Sequence, residues 1–367
     1  MSGNVGIGII GTGQIGKAHL NRYRDVPDAR IVAVCDVNKD EAARVAAEYK
    51  VPHVFTDFRE LLALKEIQAV DVCLHNNLHA PVAIAAMQAG KDVFCEKPLA
   101  GSYTDAHRMV ETAHSTGRRL AMQLNNLFSN ETLAAKRLID EGHLGSIYYA
   151  KSSAYRRRGR PYVDGYGTSS FVQKNIAAAG ALYDMGVYHI CQVLYLLGNP
   201  AVLTVSGAAH QQTAMYEQRR KDGKYDVEEL GIGFVRLDGG VTLFIEEAWA
   251  IHFGGTDGSK IAGSKGGVTL HPFSYHTTMA DMEMDAVFSL DQARTRWERC
   301  FPDMPAYKHT QSHWTAALQG RVPLIPLAGL GLNMMLIAEG IFLSQKLGRE
   351  VTADEVRAHS VSTAVSL

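Results

Sequence analysis

The stretch Val5-Gly6-Ile7-Gly8-Ile9-Ile10-Gly11-Thr12-Gly13-Gln14-Ile15-Gly16 decides the fold of this 367-residue chain. Its first six residues are uncharged and mostly apolar, which predicts a strand buried on both faces. The next six match the pattern G-x-G-x-x-G, directly after a strand and before a helical segment. Gly11 permits a tight turn, Gly13 lets the main chain approach a pyrophosphate at the helix N-terminus, and Gly16 allows close helix–strand packing. The stretch therefore predicts a dinucleotide-binding loop formed by Gly11, Thr12, Gly13, Gln14, Ile15 and Gly16.

An acidic residue ends the next predicted strand, which runs from Ala29 to Asp36. Asp36 has the spacing from the glycine loop that is expected of the group binding the adenosine ribose diol. A carboxylate there repels a 2′-phosphate, and Val37 and Asn38 offer no neighbouring cation. The sequence therefore favours NAD over NADP. The alternative is an ordinary glycine turn in which Asp36 caps a helix.

Strands and helices alternate along the first third of the chain, with strands expected at residues 53–55, 70–74 and 120–124. This spacing predicts a doubly wound parallel sheet. We therefore assign residues 1–125 to an α/β Rossmann domain that binds the dinucleotide.

After about residue 145 the predicted strands become longer and are joined by short turns. Glycine pairs such as Gly239-Gly240 and Gly266-Gly267 suit hairpins, which predicts antiparallel pairing. We assign residues 126–367 to an α+β domain with an open, mainly antiparallel sheet that serves substrate binding and oligomerisation. A helix near residues 327–347 could pack back on the first domain.

Two opposite charges end the strand predicted within Val93-Phe94-Cys95-Glu96-Lys97-Pro98-Leu99. Because proline disfavours helix at the residue before it, Lys97 should lie where the strand stops and a turn begins. In open α/β sheets ligands bind at the carboxyl ends of the strands. Glu96 and Lys97 are therefore either a surface ion pair or groups that face a binding cleft.

Composition limits the partners and the compartment. A net charge of −1 gives no reason to expect nucleic acid or an anionic membrane. The five cysteines are scattered without CxxC spacing, which indicates free thiols in a reducing compartment and no metal site. No secretory signal or apolar run of about 18 residues is evident, so we expect a cytoplasmic protein. The basic stretch of residues 156–160 is either a solvated loop or a site for an anionic substrate.

The chain resembles the Gfo/Idh/MocA family of NAD(P)-dependent oxidoreductases over nearly its whole length. The resemblance implies a Rossmann domain joined to an open-faced sheet, whose face commonly forms homodimer or homotetramer contacts. Four markers carry it: the glycine loop of residues 11–16, Glu96-Lys97-Pro98, Gly180-Ala181-Leu182-Tyr183-Asp184-Met185-Gly186-Val187-Tyr188-His189, and Phe342-Leu343-Ser344-Gln345-Lys346-Leu347-Gly348.

This resemblance implies hydride transfer between a secondary alcohol and nicotinamide, with Lys97 bonded to the reacting oxygen. Asp184 and Tyr188 are four residues apart and share a helix face. Family members commonly have histidine where Tyr188 stands, so the chain is similar to tyrosine-bearing members such as glucose–fructose oxidoreductase and dihydrodiol dehydrogenase. We expect Lys97 and Tyr188 to transfer the proton, because a neighbouring lysine lowers the pKa of a phenol. We expect Asp184 to hold a substrate hydroxyl. His189 points about 100° away and is expected to pack or to touch substrate less directly.

Two motifs depart from the family pattern. Where Thr-Pro-Asn-x-x-His is common, the chain has His75-Asn76-Asn77-Leu78-His79, and where Asn-x-Arg-Phe is common it has Asn125-Asn126-Leu127-Phe128. The nicotinamide pocket and the hold on substrate are therefore expected to differ. Besides the glycine loop, the expected cofactor-binding residues are Asp36, His75, Asn76, Asn77, His79, Glu96, Lys97 and Asn125. Besides Lys97, the expected substrate-binding residues are Asn126, Tyr155, Arg156, Asp184, Tyr188 and His189, with Tyr162, Asp164 and Tyr166 as further candidates.

We therefore expect an NAD-dependent oxidoreductase that transfers a hydride between nicotinamide and a secondary hydroxyl or ketone of a sugar or glycoside, C3 of a pyranoside being one candidate position. The alternatives are a dihydrodiol- or xylose-type dehydrogenase, a redox-assisted glycosidase, and a non-catalytic NAD-binding sugar sensor or repressor. Apolar residues at alternate positions of the second sheet, among them Phe234, Phe244 and Trp249, predict an exposed apolar face and hence a homo-oligomer.

Overall fold

The computed structural model describes residues 4–255 and 258–367. A parallel sheet of six strands forms the first half of the molecule, in the order β3-β2-β1-β4-β5-β6. This order places the switch in winding direction between β1 and β4, where open α/β sheets bind dinucleotides. The strands are β1 (Val5–Ile10), β2 (Ala29–Cys35), β3 (His53–Phe55), β4 (Ala69–Val72), β5 (Asp92–Cys95) and β6 (Leu120–Met122).

Helices cover both faces of this sheet, as the alternating sequence predicts. Strands β1, β4 and β5 are buried along their whole length, which explains their nearly continuous apolar sequence. The helices of this part are α1 (Gln14–Tyr23), α2 (Lys39–Tyr49), α3 (Phe58–Leu62), α4 (Asn76–Gln88), α5 (Tyr103–Thr116) and α6 (Asn130–Asp140).

A second, nine-stranded sheet has the order β14-β13-β12-β11-β7-β10-β9-β8-β15. All its pairs are antiparallel except β7 with β10, so the sheet is mixed and mainly antiparallel. Its strands are β7 (Ile147–Tyr155), β8 (Val202–His210), β9 (Leu230–Leu237), β10 (Thr242–Ala248), β11 (Lys260–Gly263), β12 (Gly266–Thr269), β13 (Ser274–Met279), β14 (Met282–Ala286) and β15 (Val351–Thr352). The later helices are α7 (Lys174–Ala177), α8 (Val187–Leu196), α9 (Glu217–Gly223), α10 (Leu290–Cys300), α11 (Thr310–Leu318), α12 (Leu327–Leu347) and α13 (Ala353–His359).

Of the two glycine pairs expected in hairpin turns, one lies in a turn and one does not. Gly239 and Gly240, both at positive φ, connect the antiparallel pair β9 and β10. Gly266 and Gly267 instead lie inside β12, and the turn from β11 is made by Ser264 and Lys265.

Helix α12 packs on both sheets. Near its start, Gly331 leaves room for Leu99 and Met122 of the first half, whereas Gly340 lies against Val205 of β8. By length and composition α12 could cross a membrane, contrary to the expectation from the sequence that no segment is long and apolar enough. However, 72% of its apolar window is buried inside the protein, as in the core helix of a globular protein.

One face of the second sheet packs against α8 and α12, and the other carries exposed aromatic rings. Phe234 and Phe244 are directly paired across β9 and β10 and are 39% and 36% exposed. The expectation that Trp249 belongs to this exposed face is wrong, because Trp249 follows the end of β10 and is fully buried in a cluster with Val163 and Met185.

Candidate active site

A cleft of about 1220 Å³ lies at the carboxyl ends of the parallel strands. Residues that directly follow four of these strands line it, namely Gly11, Asp36, Cys73 and Glu96. The opposite wall comes from the second half of the chain, with Asp184 and Tyr188. The cleft therefore joins the predicted cofactor region to the predicted catalytic helix.

The glycine loop has a main-chain geometry that requires glycine at two positions and leaves open space at a third. Gly11 has φ +98°, and a Cβ there would lie 2.3 Å from the carbonyl oxygen of Cys73. A Cβ on Gly16 would lie 2.0 Å from the carbonyl oxygen of Gly11, so both positions need glycine. A Cβ on Gly13 would meet no atom of the described residues within 4 Å, so this glycine leaves the cleft open for a ligand at the N-terminus of α1.

Asp36 is fixed at the cleft by neighbouring donors. Its carboxylate accepts hydrogen bonds from the main chain of Thr12 at 2.8 Å and of Asn38 at 2.9 Å. Thr12 itself is fully buried, so it supports Asp36 and does not line the cleft. Arg59, which the sequence analysis did not select, lines the same cleft but lies 3.3 Å from Asp57.

The segment after β4 divides into residues that line the cleft and residues that support it. His75 and Asn76 line it, and the Asn76 amide donates to the carbonyl of Ala177 at 2.7 Å. Asn77 and His79 do not reach the cleft. The Asn77 amide donates to a carbonyl in α7, and the buried His79 ring lies 2.8 Å from the carbonyl oxygen of Pro98. Asn77 therefore joins the two walls of the cleft, whereas His79 joins the segments that follow β4 and β5 within one wall.

Lys97 connects the two walls of the cleft. Its Nζ donates to the Asp184 carboxylate at 2.7 Å and to the Asp184 carbonyl at 2.9 Å, and lies 4.9 Å from the centre of the Tyr188 ring. The second Asp184 oxygen accepts a hydrogen bond from the Trp249 indole at 2.9 Å. Burial lowers the pKa of Lys97, but the nearby negative charges, with Asp184 foremost, and the hydrogen bond to Asp184 together raise it more, so Lys97 is a cation at neutral pH.

A π-helical turn, Leu182–Gly186, precedes α8 where the sequence predicts one continuous helix. Glu228 caps this segment, because its carboxylate accepts hydrogen bonds from the main chain of Gly180 at 2.8 Å and of Leu182 at 3.0 Å. Burial raises the pKa of Glu228 to about 7. The capped turn presents Asp184 and Tyr188 to the cleft together.

His189 lies away from the cleft, on a different side of the helix from Tyr188. Its Nδ1 is 2.9 Å from the Glu247 carboxylate, and Glu247 also accepts a hydrogen bond from the Ser152 hydroxyl at 2.7 Å. Burial lowers the pKa of His189, but Glu247 raises it more. This ion pair joins the helix to the second sheet.

Lys97 lowers the pKa of the Tyr188 phenol as expected, but the net shift is upward. Burial raises that pKa more than the charge of Lys97 lowers it. Lys97 lies over the ring face, where it interacts with the π-electrons. Tyr188 is therefore a hydrogen-bond donor at neutral pH, and the protonated Lys97 is the acidic group beside it.

Among the other residues expected at the substrate, Asn125 and Asn126 line the cleft. The Asn126 amide donates to the carbonyl of Tyr188, and Asn125 accepts from the Thr310 hydroxyl at 2.9 Å. Tyr166 lines the cleft as well.

Four of the expected residues do not line the cleft. Tyr155 donates to the carbonyl of Gly255, and Arg156 donates to the Tyr166 hydroxyl at 2.7 Å. Tyr162 stacks under Arg219, and Asp164 pairs with Arg160 at 2.8 Å. Arg156, Tyr162 and Asp164 therefore shape the loop that carries Tyr166.

The sequence analysis missed His19, which is fully buried in the cleft wall, where its ring lies between the carboxylates of Asp71 and Glu96. It also missed the contact of Trp249 with Asp184 and the presence of Arg22 in the cleft wall. One signal was available, because Asp71 is an acid in the middle of an otherwise apolar buried strand and must have a partner.

Two family models match the chain. The oxidoreductase family with an NAD-binding Rossmann fold matches residues 5–124, and the GFO/IDH/MocA C-terminal domain matches residues 132–269. The D-glucoside 3-dehydrogenase of Escherichia coli (strain K12) is 27% identical over 353 residues, covering 94% of this chain and 96% of that protein. The levoglucosan dehydrogenase of Pseudarthrobacter phenanthrenivorans is 27% identical over 366 residues, covering 92% and 87%.

A solved structure shares the fold along almost the whole chain. It is levoglucosan dehydrogenase in complex with NADH and levoglucosan, with a TM-score of 0.78 at 22% identity, covering 95% of this chain and 99% of that one. This likeness shows a common fold, and the two family models span both halves of the molecule. The chain belongs to the Gfo/Idh/MocA family and is an NAD-dependent oxidoreductase.

Proposed function

We propose that this enzyme oxidises a secondary hydroxyl of a sugar or glycoside, with C3 of a pyranoside as the first candidate position. The position of Lys97 carries the proposal: a buried cation at the end of β5, in the cofactor cleft and in contact with Asp184 and Tyr188. Two relatives that align over nearly the whole chain are named for D-glucoside 3-dehydrogenation and for levoglucosan. These names support a carbohydrate substrate.

The residues divide the chemistry between them. Bound nicotinamide supplies the hydride acceptor. Lys97 hydrogen-bonds the reacting oxygen. In the fraction of the enzyme whose Lys97 is neutral, the amine accepts the hydroxyl proton during oxidation, and in its cationic form Lys97 donates a proton to the ketone oxygen during reduction. Tyr188 donates to the same oxygen or to its neighbour, and Asp184 holds Lys97 in place until a substrate hydroxyl competes for the carboxylate. The Asn126 amide, bonded behind Tyr188, limits the movement of that wall.

A substrate panel tests the proposal. Purified protein with NAD is mixed with free sugars, methyl glycosides, levoglucosan, inositols and aromatic dihydrodiols, and NADH formation is followed by absorbance. We expect turnover with at least one glycoside, and NMR of the product should locate the new carbonyl at C3. Product oxidised at another carbon would reject the position, and turnover with dihydrodiols alone would reject the carbohydrate class.

Two alternatives give different results in the same experiment. A redox-assisted glycosidase would cleave the glycoside with only catalytic amounts of NAD. A sensor or repressor would bind sugar in calorimetry without forming NADH, but the family membership and the Lys97–Asp184 pair favour the enzyme. We also propose a cytoplasmic location, because the five free cysteines, four of them buried, fit a reducing compartment.

A further inference from the structure

A buried histidine joins two carboxylates next to the segment that carries Lys97. His19 of α1 has no exposed surface, and its Nδ1 lies 2.8 Å from Asp71 Oδ2. Its Nε2 lies 2.8 Å from Glu96 Oε1. Because ionised carboxylates only accept hydrogen bonds, both contacts can form only if both ring nitrogens carry protons, or if one carboxyl is protonated.

The surroundings favour the imidazolium. Burial lowers the pKa of His19, but the charge of Asp71 and the other contacts of the ring together raise it more. Burial raises the pKa of Glu96, but His19 and Lys97 together lower it more. The nearest further titratable group is Cys73, whose Sγ is 3.4 Å from Nδ1; burial raises the pKa of this thiol to about 12, so it is neutral. The cluster therefore consists of one cation between two anions.

This cluster is connected to Lys97 through the main chain. The second Glu96 oxygen, Oε2, accepts a hydrogen bond from the Lys97 amide at 2.8 Å. The Glu96 carboxylate therefore bonds to His19 through one oxygen and to the main chain of Lys97 through the other. These two contacts fix the orientation of the carboxylate. Any shift of Glu96 would move the main chain from which the Lys97 amine reaches Asp184.

We propose that His19 is a positioning residue: its Nε2 contact holds Glu96, and Glu96 holds the Lys97 main chain so that the amine meets the reacting oxygen. The Asp71 contact orients the ring and compensates its charge. His19 does not touch the reacting atoms in this proposal. Its kinetic consequences rest on the proposed function, whereas its effect on the geometry of Lys97 does not.

Two substitutions at one position separate the two contacts. Asparagine places its amide nitrogen near the position of Nδ1, and glutamine places its amide nitrogen near Nε2. His19→Asn therefore keeps the donor to Asp71 and loses the donor to Glu96, and His19→Gln does the reverse. Both remove the positive charge and leave one buried carboxylate without that donor, so they are matched in their general cost to stability.

We expect His19→Asn to lower turnover on the order of 10–100-fold, as a misplaced catalytic group does, with the affinity for NAD in calorimetry changed less than about threefold. His19→Gln should keep turnover within about threefold of wild type. Equal losses in both variants would mean a purely structural role and would overturn the proposal. Full turnover in both would overturn it too.

A second readout does not depend on any substrate. The Lys97 side chain is observed by NMR in protein with ¹³C-labelled lysine, and its signal is assigned with Lys97→Arg. The chemical shift that reports the contact with Asp184 should change in His19→Asn and stay in His19→Gln. If the chemical shifts change in this way but the wild-type protein oxidises no sugar or glycoside, the proposed substrate is rejected and the positioning role of His19 is retained. An unchanged Lys97 signal in His19→Asn would reject the role.

Metal analysis of the purified wild-type protein adds a further check. Nδ1 of His19, a carboxylate oxygen of Asp71 and the Cys73 sulfur lie within 4.8 Å of one another, and these are metal-ligand types. We expect no stoichiometric metal, because the nitrogen and the carboxylate oxygen are 2.8 Å apart, which is the distance of a direct hydrogen bond. One equivalent of zinc that is lost on Cys73→Ala would overturn the proposal, since His19 would then be a ligand.

Discussion

Replacement of Lys97 by alanine tests the catalytic interpretation most directly. The side chain is only 12% exposed, and its charge lies in a cleft wall beside Asp184 and Tyr188. Loss of a preorganised donor to the reacting oxygen typically costs about 10²–10³ in turnover, or roughly 3–4 kcal/mol of transition-state stabilisation. NAD affinity should stay nearly intact, because it depends on the glycine loop and Asp36.

The same change should also lower the free energy of unfolding. At 2.7 Å the attraction between Lys97 and Asp184 is about 6 kcal/mol at an effective dielectric constant of about 20, before the desolvation of both groups is subtracted. Asp184 keeps the Trp249 hydrogen bond and is 22% exposed, so we expect a net loss of about 1–3 kcal/mol. The double variant Lys97→Ala/Asp184→Asn removes the unpaired charge and should recover stability without recovering turnover.

The pH dependence of turnover tests whether the protonation state of Lys97 controls the oxidation rate. Asp184 raises the pKa of Lys97, and alcohol oxidation requires Lys97 to accept a proton, so the oxidation rate of wild type should rise with pH. Asp184→Asn lowers the pKa of Lys97, so the rising limb should move to lower pH. The measurements are steady-state kinetics from pH 6 to 10, urea unfolding and calorimetry with NAD. Turnover of Lys97→Ala within threefold of wild type, or an unmoved limb in Asp184→Asn, would refute the reasoning.

Three further predictions concern the cofactor, the helix and the assembly. Asp36→Ala should weaken the preference for NAD, and equal affinity of wild type for NADP and NAD in calorimetry would contradict the role of this carboxylate. Tyr188→Phe should slow hydride transfer and change the pH profile with little loss of stability. His189→Ala should lower stability and affect turnover less. If His189→Ala abolished turnover while Tyr188→Phe stayed near wild type, the helix would present a different face to the cleft. Finally, we predict a homodimer or homotetramer by light scattering at micromolar concentration. Charged substitutions at the paired, exposed Phe234 and Phe244 should dissociate it, and a monomeric wild type would exclude this interface.

Several features could be predicted from the sequence because their causes are local. A glycine at positive φ, an apolar run of strand length and a proline after Lys97 restrict the main chain without reference to distant residues. The spacing of strands and helices then predicts the parallel sheet, and the ends of its strands predict where Asp36 and Lys97 lie. The four-residue interval between Asp184 and Tyr188 likewise predicts a common face.

Tertiary structure alone decided the environment of those residues. His19 meets Asp71 and Glu96 only because α1, β4 and β5 pack together, so its role is invisible in any local pattern. Trp249 was expected on an exposed face, yet it is buried and bonded to Asp184. The pKa of Tyr188 rises because burial outweighs a neighbouring charge, and burial is a property of the whole packed chain. Local sequence restricts where the chain can turn, whereas desolvation and charge pairing depend on which distant segments come into contact.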